Sequence, residues 1–391
     1  MADIMMNLKS LQPEYGLGTR EESLLCLKSR AKGLAVNGCA HAVFFCKLLQ
    51  ATWPQEESSK DVTVYSPEPK SSPSLKIGII GGGHIGKQLA RALIELSGIP
   101  GKNLQISTRR PETLLEFQKL GVVCFYNNRQ LVDQADVVFL CCLPCHLPNI
   151  CSEIQDALKE HCIIYSLVTA FPLPRLKQLL SCSAILRPQY ECTDTEPVDV
   201  WATSRAVVEA LKDPAVIQAT CPCSPTGRIA VNIKWLAAVF YAALNSYSWQ
   251  HLSHVRTLSL LNQVCFTEDF ATTSEKKPFF ICENFVNKDF ASSLAPDDTF
   301  PWFDLTTVQL KESPLSQLLA TDTSFRDNIA SVYCNMMAVP PTNNDESMTA
   351  TSKKISLSAV LLNPAKALNV GIDGTYKGNV DDAHSSDSEG L

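Results

Sequence analysis

Residues 75–86 read LKIGIIGGGHIG and contain five of the seventeen glycines in a chain of 391 residues. An apolar run, KIGII, leads into the glycines, and an amphipathic stretch, KQLARALIEL, follows them. The pattern G-x-G-x-x-G between a strand and a helix is typical of a dinucleotide-binding turn, whereas a strand–turn–helix without a ligand is the simpler alternative. In the binding interpretation, Gly81 permits the tight turn, Gly83 the approach of a pyrophosphate, and Gly86 close packing of helix on strand. The residues expected to form the cofactor loop are Gly81, Gly82, Gly83, His84, Ile85 and Gly86.

Short apolar runs alternate with amphipathic stretches from residue 75 to about residue 188. The runs are KIGII, NLQIST, VVCFY, DVVFLCCL, CIIYSLV and SAILRP. Strands and helices that alternate at this spacing predict a parallel sheet with helices on both faces. Two further strands, DVWATS and VIQATCP, are expected around the helical segment AVVEALKD, and long helical patterns follow Gly227. The predicted fold class is α/β: a Rossmann-type doubly wound parallel sheet followed by a mainly α-helical C-terminal domain.

The end of the second predicted strand indicates which dinucleotide binds. A site for NAD usually has an Asp or Glu there, which accepts hydrogen bonds from the ribose 2′-hydroxyl. This chain instead has Ser107, Thr108, Arg109 and Arg110. Hydroxyl and guanidinium groups suit a 2′-phosphate, and each charge-assisted hydrogen bond contributes roughly 1.5–3 kcal/mol. We therefore expect NADP(H) to be preferred over NAD(H), the alternative being that the two arginines are simply solvated.

Composition shifts divide the chain into five predicted segments. These are a helical N-terminal extension (1–54), a linker (55–74), an NADP-binding Rossmann domain (75–223), a helical domain for dimerisation or substrate binding (224–340) and a mostly disordered tail (341–391). The linker is rich in Ser, Pro and charged residues, and the last residues are small, polar and acidic. The length supports more than one core.

Charge and composition argue against several classes of partner. A net charge of −6 without a basic cluster gives no case for nucleic acid. Sixteen cysteines show no metal-binding spacing, so no metal is expected. The apolar stretches 33–49 and 235–244 are interpreted as buried or partner-facing helices rather than membrane spans. The N-terminus lacks the pattern of a secretory signal, which favours a cytoplasmic protein with mostly reduced thiols.

The segments LKIGIIGGGHIGKQLARAL, LQISTRRPETLLEFQKLGV, ADVVFLCCLPCHLPNICSEI and IIYSLVTAFPLPRLKQLL together resemble the cofactor domain of pyrroline-5-carboxylate reductases. The resemblance spans about residues 75–190. It implies reduction of a cyclic imine with NAD(P)H and a homodimer formed through the C-terminal helices. It also implies cofactor contacts at Asn128 and at the strand end Cys142-Leu143-Pro144.

The C-terminal half of the chain lacks motifs that are typical of this family. The family's S-P-G-G-T-T substrate loop has no counterpart, since no glycine lies between residues 228 and 370, and the glycine of its S-x-A-A-G strand end is replaced. Two hypotheses therefore stand: an NADP(H)-dependent oxidoreductase acting on an unidentified small imine or carbonyl compound, and an NADP(H)-binding pseudoenzyme that acts as a sensor or interaction protein. A third, a beta-hydroxyacid dehydrogenase, is disfavoured because Asn232 and Lys234 do not match that family's Lys-x-x-x-Asn pair.

An active enzyme needs a proton donor beside the nicotinamide. Tyr190 and His146 are the predicted catalytic residues, because each follows a predicted strand that ends at the cofactor cleft. Packing at a domain junction is the alternative for Tyr190, and a solvated side chain is the alternative for His146.

Overall fold

The computed structural model describes residues 19–52, 74–192, 199–201, 206–223, 226–266 and 279–338. All of them belong to one compact unit. The predicted tail and nearly all of the predicted linker lie outside the described residues, as do the first 18 residues of the predicted N-terminal extension.

A single long helix, α1 (Thr19–Thr52), forms the described part of the N-terminal extension. From Val36 to Leu49 almost every side chain is buried, on all sides of the helix. By length and composition alone, residues Leu24–Ala51 could cross a membrane, but 72% of that apolar window is buried inside the protein. A helix that is apolar all round is expected in a protein core as well as in a membrane. The prediction of a buried helix over 33–49 agrees with this packing.

Six parallel strands form the central sheet. They are β1 (Ile77–Ile80), β2 (Leu104–Ser107), β3 (Val123–Phe125), β4 (Val137–Leu140), β5 (Ile163–Ser166) and β6 (Ile185–Leu186). Their order across the sheet is β3-β2-β1-β4-β5-β6. This is the strand order of the Rossmann dinucleotide-binding fold, so the predicted fold class is confirmed.

Helices connect successive strands. They are α2 (His84–Ser97), α3 (Leu115–Lys119), α4 (Asn128–Gln134), α5 (Leu147–Ile154) and α6 (Leu173–Leu180). Side chains of a strand alternate between the two faces of the sheet, and the core is divided accordingly. Ile79 packs in the core formed with α1 and α2. Its neighbour Ile80 packs in a second core with α4, α5 and α6.

The region after the sheet corrects part of the prediction. Neither DVWATS nor VIQATCP is a strand where the structure describes it: Asp199–Trp201 is a short 3-10 helix, and α8 (Pro214–Ala219) follows α7 (Val207–Ala210). The reason in the second case is local, because the Asp213 side chain accepts a hydrogen bond from the backbone N–H of Ala215 and caps a helix that Pro214 begins. Pro at the first helical position and Asp at the cap outweigh the β-branched residues that follow.

Two short antiparallel strands join the halves of the chain: β7 (Tyr190–Cys192) pairs with β8 (Ile229–Val231). Strand β8 therefore occupies the start of the helical pattern that was expected after Gly227. The C-terminal half is otherwise helical, as predicted, with α9 (Ile233–Trp249), α10 (His254–Cys265), α11 (Lys288–Ser293), α12 (Leu305–Leu310), α13 (Pro314–Thr321) and α14 (Thr323–Met337). Helices α1 and α9 join α2 in the core on one face of the sheet.

Candidate functional site

The glycine turn follows β1 at the point where the strand order reverses. The backbone N–H of Gly81 donates to the carbonyl of Ser107 at 2.9 Å, which ties the turn to β2. Gly81 has φ of +113°, a conformation that side chains rarely adopt. A Cβ at Gly86 would lie 1.9 Å from the carbonyl oxygen of Gly81. Both glycines are therefore required by the backbone itself, before any ligand is considered.

Gly83 differs from its neighbours because its surroundings are open. A Cβ built there would meet no atom of the described residues within 4 Å. Gly83 is the N-cap of α2, the first turn of the helix contains no acidic residue, and no side chain in the described part of the chain caps it. The N-terminus of α2 therefore presents backbone N–H donors to an exposed space, as an anion-binding helix end does. These residues fit a pyrophosphate. His84 is exposed in the first turn of α2, and Ile85 is half-buried.

The end of β2 lies beside the glycine turn, where the predicted phosphate-binding residues follow one another. Thr108 packs against the turn, since a Cβ at Gly82 would lie 3.0 Å from the Cβ of Thr108. Arg109 and Arg110 are exposed. Ser107 is buried, and its hydroxyl has no hydrogen-bond partner among the described residues. Two cations and a threonine are thus available at the edge where a ribose 2′-phosphate is expected.

The end of β4 lies on the other side of β1. After Leu140, the chain passes through Cys142 to Leu143, which is 62% exposed, and then into a 3-10 turn, Pro144–His146. Burial raises the pKa of Cys142 to about 11, so its thiol is not a nucleophile at neutral pH. Cys142, Leu143 and Pro144 are thus at the carboxyl edge of the sheet, beside the glycine turn.

Asn128, the fourth predicted region of cofactor contact, is less exposed than the other three. It is the first residue of α4 and is buried, and its Nδ2 donates to Oε2 of Glu153 at 2.8 Å. This bond ties α4 to α5. His146 is half-buried at the start of α5.

Tyr190 belongs to a buried polar cluster that the sequence did not indicate. Its hydroxyl lies 2.9 Å from Nδ1 of His41, a residue of α1, and the two rings are stacked. Nε2 of His41 lies 2.8 Å from the carbonyl oxygen of Thr220, whose hydroxyl lies 2.8 Å from that of Tyr333. Burial lowers the pKa of His41 to about 4 and raises that of Tyr190 well above its ordinary value. The structure therefore gives Tyr190 a partner from the N-terminal extension.

A cavity of about 330 Å³ lies further along the same edge of the sheet, beyond the ends of β5 and β6. Its polar lining residues are Thr169, Arg187, Gln189, Asn232 and Gln309. Its apolar wall consists of Ala170, Pro172, Leu173, Pro174, Trp235 and Leu310. The volume is at the lower end of the range of small-molecule sites, roughly 300–1,000 Å³. Tyr190 and His146 are not among the residues that line it.

The predicted site residues thus fall into groups. The glycine turn, the β2 end and the β4 end meet at one edge of the sheet, as expected. The cavity residues were missed because several of them are distant in sequence from β6: Asn232 is the N-cap of α9, Trp235 lies on α9 and Gln309 lies on α12. The sequence signal that was available is a charged residue, Arg187, directly after a buried strand.

Known proteins resemble this chain to different extents. The family described as NADP oxidoreductase, coenzyme F420-dependent, matches residues 76–168. The mouse NADP-dependent oxidoreductase domain-containing protein 1 is 41% identical over 346 residues, which cover 86% of this chain and 94% of that protein. The zebrafish (Danio rerio) pyrroline-5-carboxylate reductase 3 is 32% identical over 107 residues, 27% of this chain and 37% of that protein. The predicted resemblance is confirmed, and so is the NADP-type cofactor domain.

Solved structures show a weaker likeness. A pyrroline-5-carboxylate reductase from Coxiella burnetii is 16% identical, with a TM-score of 0.30, over 68% of this chain and 100% of that chain. The Plasmodium falciparum enzyme with NADP bound is 13% identical, with a TM-score of 0.27, over 67% of this chain and 97% of that chain.

Proposed function

Because the chain belongs to the family of NADP-dependent oxidoreductase domain-containing protein 1, we propose that it binds NADP(H) at the turn after β1 and transfers a hydride to a small imine or carbonyl compound. One observation carries the proposal. The open N-terminus of α2 at Gly83 lies on the same edge of the sheet as the cavity of about 330 Å³ at the ends of β5 and β6. Ligands of open α/β sheets bind at this edge, at the switch point of the strand order.

The residues around the turn suit each part of the cofactor. Backbone N–H groups at the start of α2 bind the pyrophosphate, and Thr108, Arg109 and Arg110 bind the 2′-phosphate. The exposed apolar side chain of Leu143 contributes a surface beside the turn. NADP(H) supplies the hydride when it is bound.

The chain's own contribution to catalysis is orientation and exclusion of water. Trp235 and Leu173 form a buried apolar wall of the cavity, while amide and guanidinium groups form its polar side. Such a lining positions a small substrate and strengthens electrostatic contacts by removing water. Tyr190 and His146 stay predictions as proton donors. For Tyr190, the hydrogen bond to His41 supports an indirect role at most.

Turnover assays test the proposal. Purified protein is titrated with NADPH and NADH, and NADPH consumption is then followed with a panel of cyclic imines and 2-oxo acids. We expect binding of NADPH and turnover with at least one compound, with NADPH binding at least tenfold weaker in Gly83→Ala. NADPH binding without turnover across the panel would favour the pseudoenzyme, a sensor or interaction protein that uses the nucleotide as a ligand.

Two further expectations stay predictions: a cytoplasmic location and a homodimer formed through the C-terminal helices. Size-exclusion chromatography with light scattering tests the second. A mass of one chain at micromolar concentration would contradict it.

A further inference from the structure

Arg187 lies at the cavity beyond β5 and β6, where no anionic partner faces it among the residues that the structure describes. It follows β6 directly and is half-buried. Its Nη2 donates to the carbonyl oxygen of Thr169 at 2.5 Å, and its Nε is buried with no hydrogen-bond acceptor among the described residues. Within the part of the chain that the structure describes, no Asp or Glu forms an ion pair with it, and none lines the cavity.

The position of Arg187 is fixed by its surroundings. Its backbone N–H donates to Oε1 of Gln309 at 3.0 Å, and Nε2 of Gln309 donates to the carbonyl oxygen of Ile185 at 2.7 Å. The side-chain amide of Gln309, on α12, therefore holds the end of β6 through these two hydrogen bonds. Helix α12 is itself held to α6, since Lys177 Nζ donates to Oδ2 of Asp304, the N-cap of α12. The backbone of Arg187 is thus held by α12, which is itself tied to α6.

A half-buried guanidinium without a counter-ion costs free energy, because the Thr169 carbonyl replaces only part of the hydration that it loses. The lowered pKa of Arg187 has the same cause, desolvation by burial. A carboxylate removes the cost best, since its two oxygens match the planar donors of arginine. A phosphate dianion suits the cavity less, because Arg187 is its only cation among the described lining residues.

The other residues that line the cavity indicate the chemical character of the part of the ligand that does not contact Arg187. Trp235 and Leu173 are buried and apolar, whereas Gln189 is an exposed amide. One cation beside an apolar wall suits a small organic molecule with one acidic group and an apolar body.

We propose that Arg187 binds the carboxylate of a small organic acid in this cavity and thereby determines which substrate the hydride transfer accepts. The statement that the ligand is a substrate rests on the proposed function. The binding of the carboxylate, however, can be measured without NADP(H).

A matched pair of probes tests it. Cyclohexanecarboxylate and the neutral cyclohexanecarboxamide have nearly the same shape and differ in charge. Their binding is measured by ligand-observed NMR with the full chain, in the absence and in the presence of NADPH, with inorganic phosphate as a third probe. The variants are Arg187→Gln and Arg187→Lys, with Arg175→Gln as the control, since Arg175 lies on α6 and its Nη1 donates to Gln178 outside the cavity.

We expect the carboxylate to bind the native chain at least tenfold more tightly than the amide. Arg187→Gln should abolish this preference, Arg187→Lys should retain part of it, and Arg175→Gln should leave it unchanged. NADPH affinity should be the same in all four proteins. Arg187→Lys keeps the charge and serves as the informative variant if Arg187→Gln fails to fold.

Three results would overturn the inference: equal binding of acid and amide to the native chain, binding of neither, or phosphate binding as tight as that of the carboxylate. If the proposed function is wrong but the carboxylate site is real, the experiment gives a different result. In that case the carboxylate preference persists and depends on Arg187, but NADPH does not bind or no hydride is transferred.

Discussion

Glycines in the turn after β1 have different roles, although they are neighbours in sequence. Gly81 and Gly86 are required by the backbone, whereas Gly83 has open space where a side chain would be. A methyl group at Gly83 is therefore tolerated by the fold but occupies the approach to the N-terminus of α2. The geometry separates a structural glycine from a ligand-binding one.

We predict that Gly83→Ala weakens NADPH binding at least tenfold and changes the free energy of unfolding by no more than about 1 kcal/mol, the effect of replacing Gly by Ala at an N-cap. Calorimetric titration and chemical denaturation measure the two quantities. Gly38→Ala is the control, because its new Cβ makes an ordinary contact at 3.6 Å with Leu167. Unchanged NADPH affinity in Gly83→Ala would contradict the assignment.

Arg109 and Arg110 are exposed and follow β2, where the ribose of the cofactor is expected. Replacing both with alanine should weaken NADPH binding by tenfold or more, since each charge-assisted hydrogen bond contributes roughly 1.5–3 kcal/mol. NADH affinity should remain nearly the same, as should both affinities in the control Arg175→Ala. Equal losses for the two nucleotides would mean that these arginines do not select the 2′-phosphate.

The pKa of His41 links stability to pH. Burial holds it at about 4, compared with 6.5 for an exposed histidine. As the pH falls from 7 to 4, the unfolded chain binds a proton that the folded chain does not, so the free energy of unfolding decreases by up to about 3 kcal/mol.

This loss should be absent in His41→Gln, whose unfolding free energy, followed by urea denaturation at each pH, should change less between pH 7 and pH 4 than that of the native chain. Parallel curves for the native chain and His41→Gln would contradict the prediction.

Helix α1 packs in the same hydrophobic core as the sheet, even though it precedes the predicted cofactor domain in the sequence. The ring centroid of Phe45 lies 5.7 Å from that of Tyr165 on β5, and that of Phe44 lies 5.1 Å from that of Tyr333 on α14. The helix thus connects the sheet with the C-terminal helices, and His41 extends this connection to Tyr190.

Phe45→Ala should therefore lower the free energy of unfolding by about 3–5 kcal/mol, the usual cost of removing a buried aromatic ring. Leu27→Ala, on the same helix but 58% exposed, should change it by less than about 0.5 kcal/mol. Denaturation with urea measures both. A helix that served only a membrane or a partner would show little effect in either variant.

Across the molecule, the sequence patterns predicted those structural features that are formed by residues close to one another in the chain. The six parallel strands, the glycine turn and the gathering of Thr108, Arg109 and Leu143 at one edge follow from alternating apolar runs and from the rules of parallel sheets. The helix at Pro214 was missed because its β-branched residues suggested a strand, although Asp213 and Pro214 form a helix start.

Other features depend on packing between distant segments, which no single sequence shows. Gln309 and Arg187 are 122 residues apart in the chain, and His41 and Tyr190 are 149 apart. The cavity and the buried polar cluster exist only because α1, α9 and α12 pack against the sheet. The sequence could predict that residues 33–49 are buried, but not that they would contact the sheet.

A crystal structure of the chain with NADPH would show whether the nucleotide lies across the turn after β1. We expect the pyrophosphate to accept hydrogen bonds from the N–H groups at Gly83 and His84, with the 2′-phosphate beside Arg109 and Arg110. A well-ordered turn whose amides contact only solvent or protein, at NADPH concentrations in the millimolar range, would contradict it.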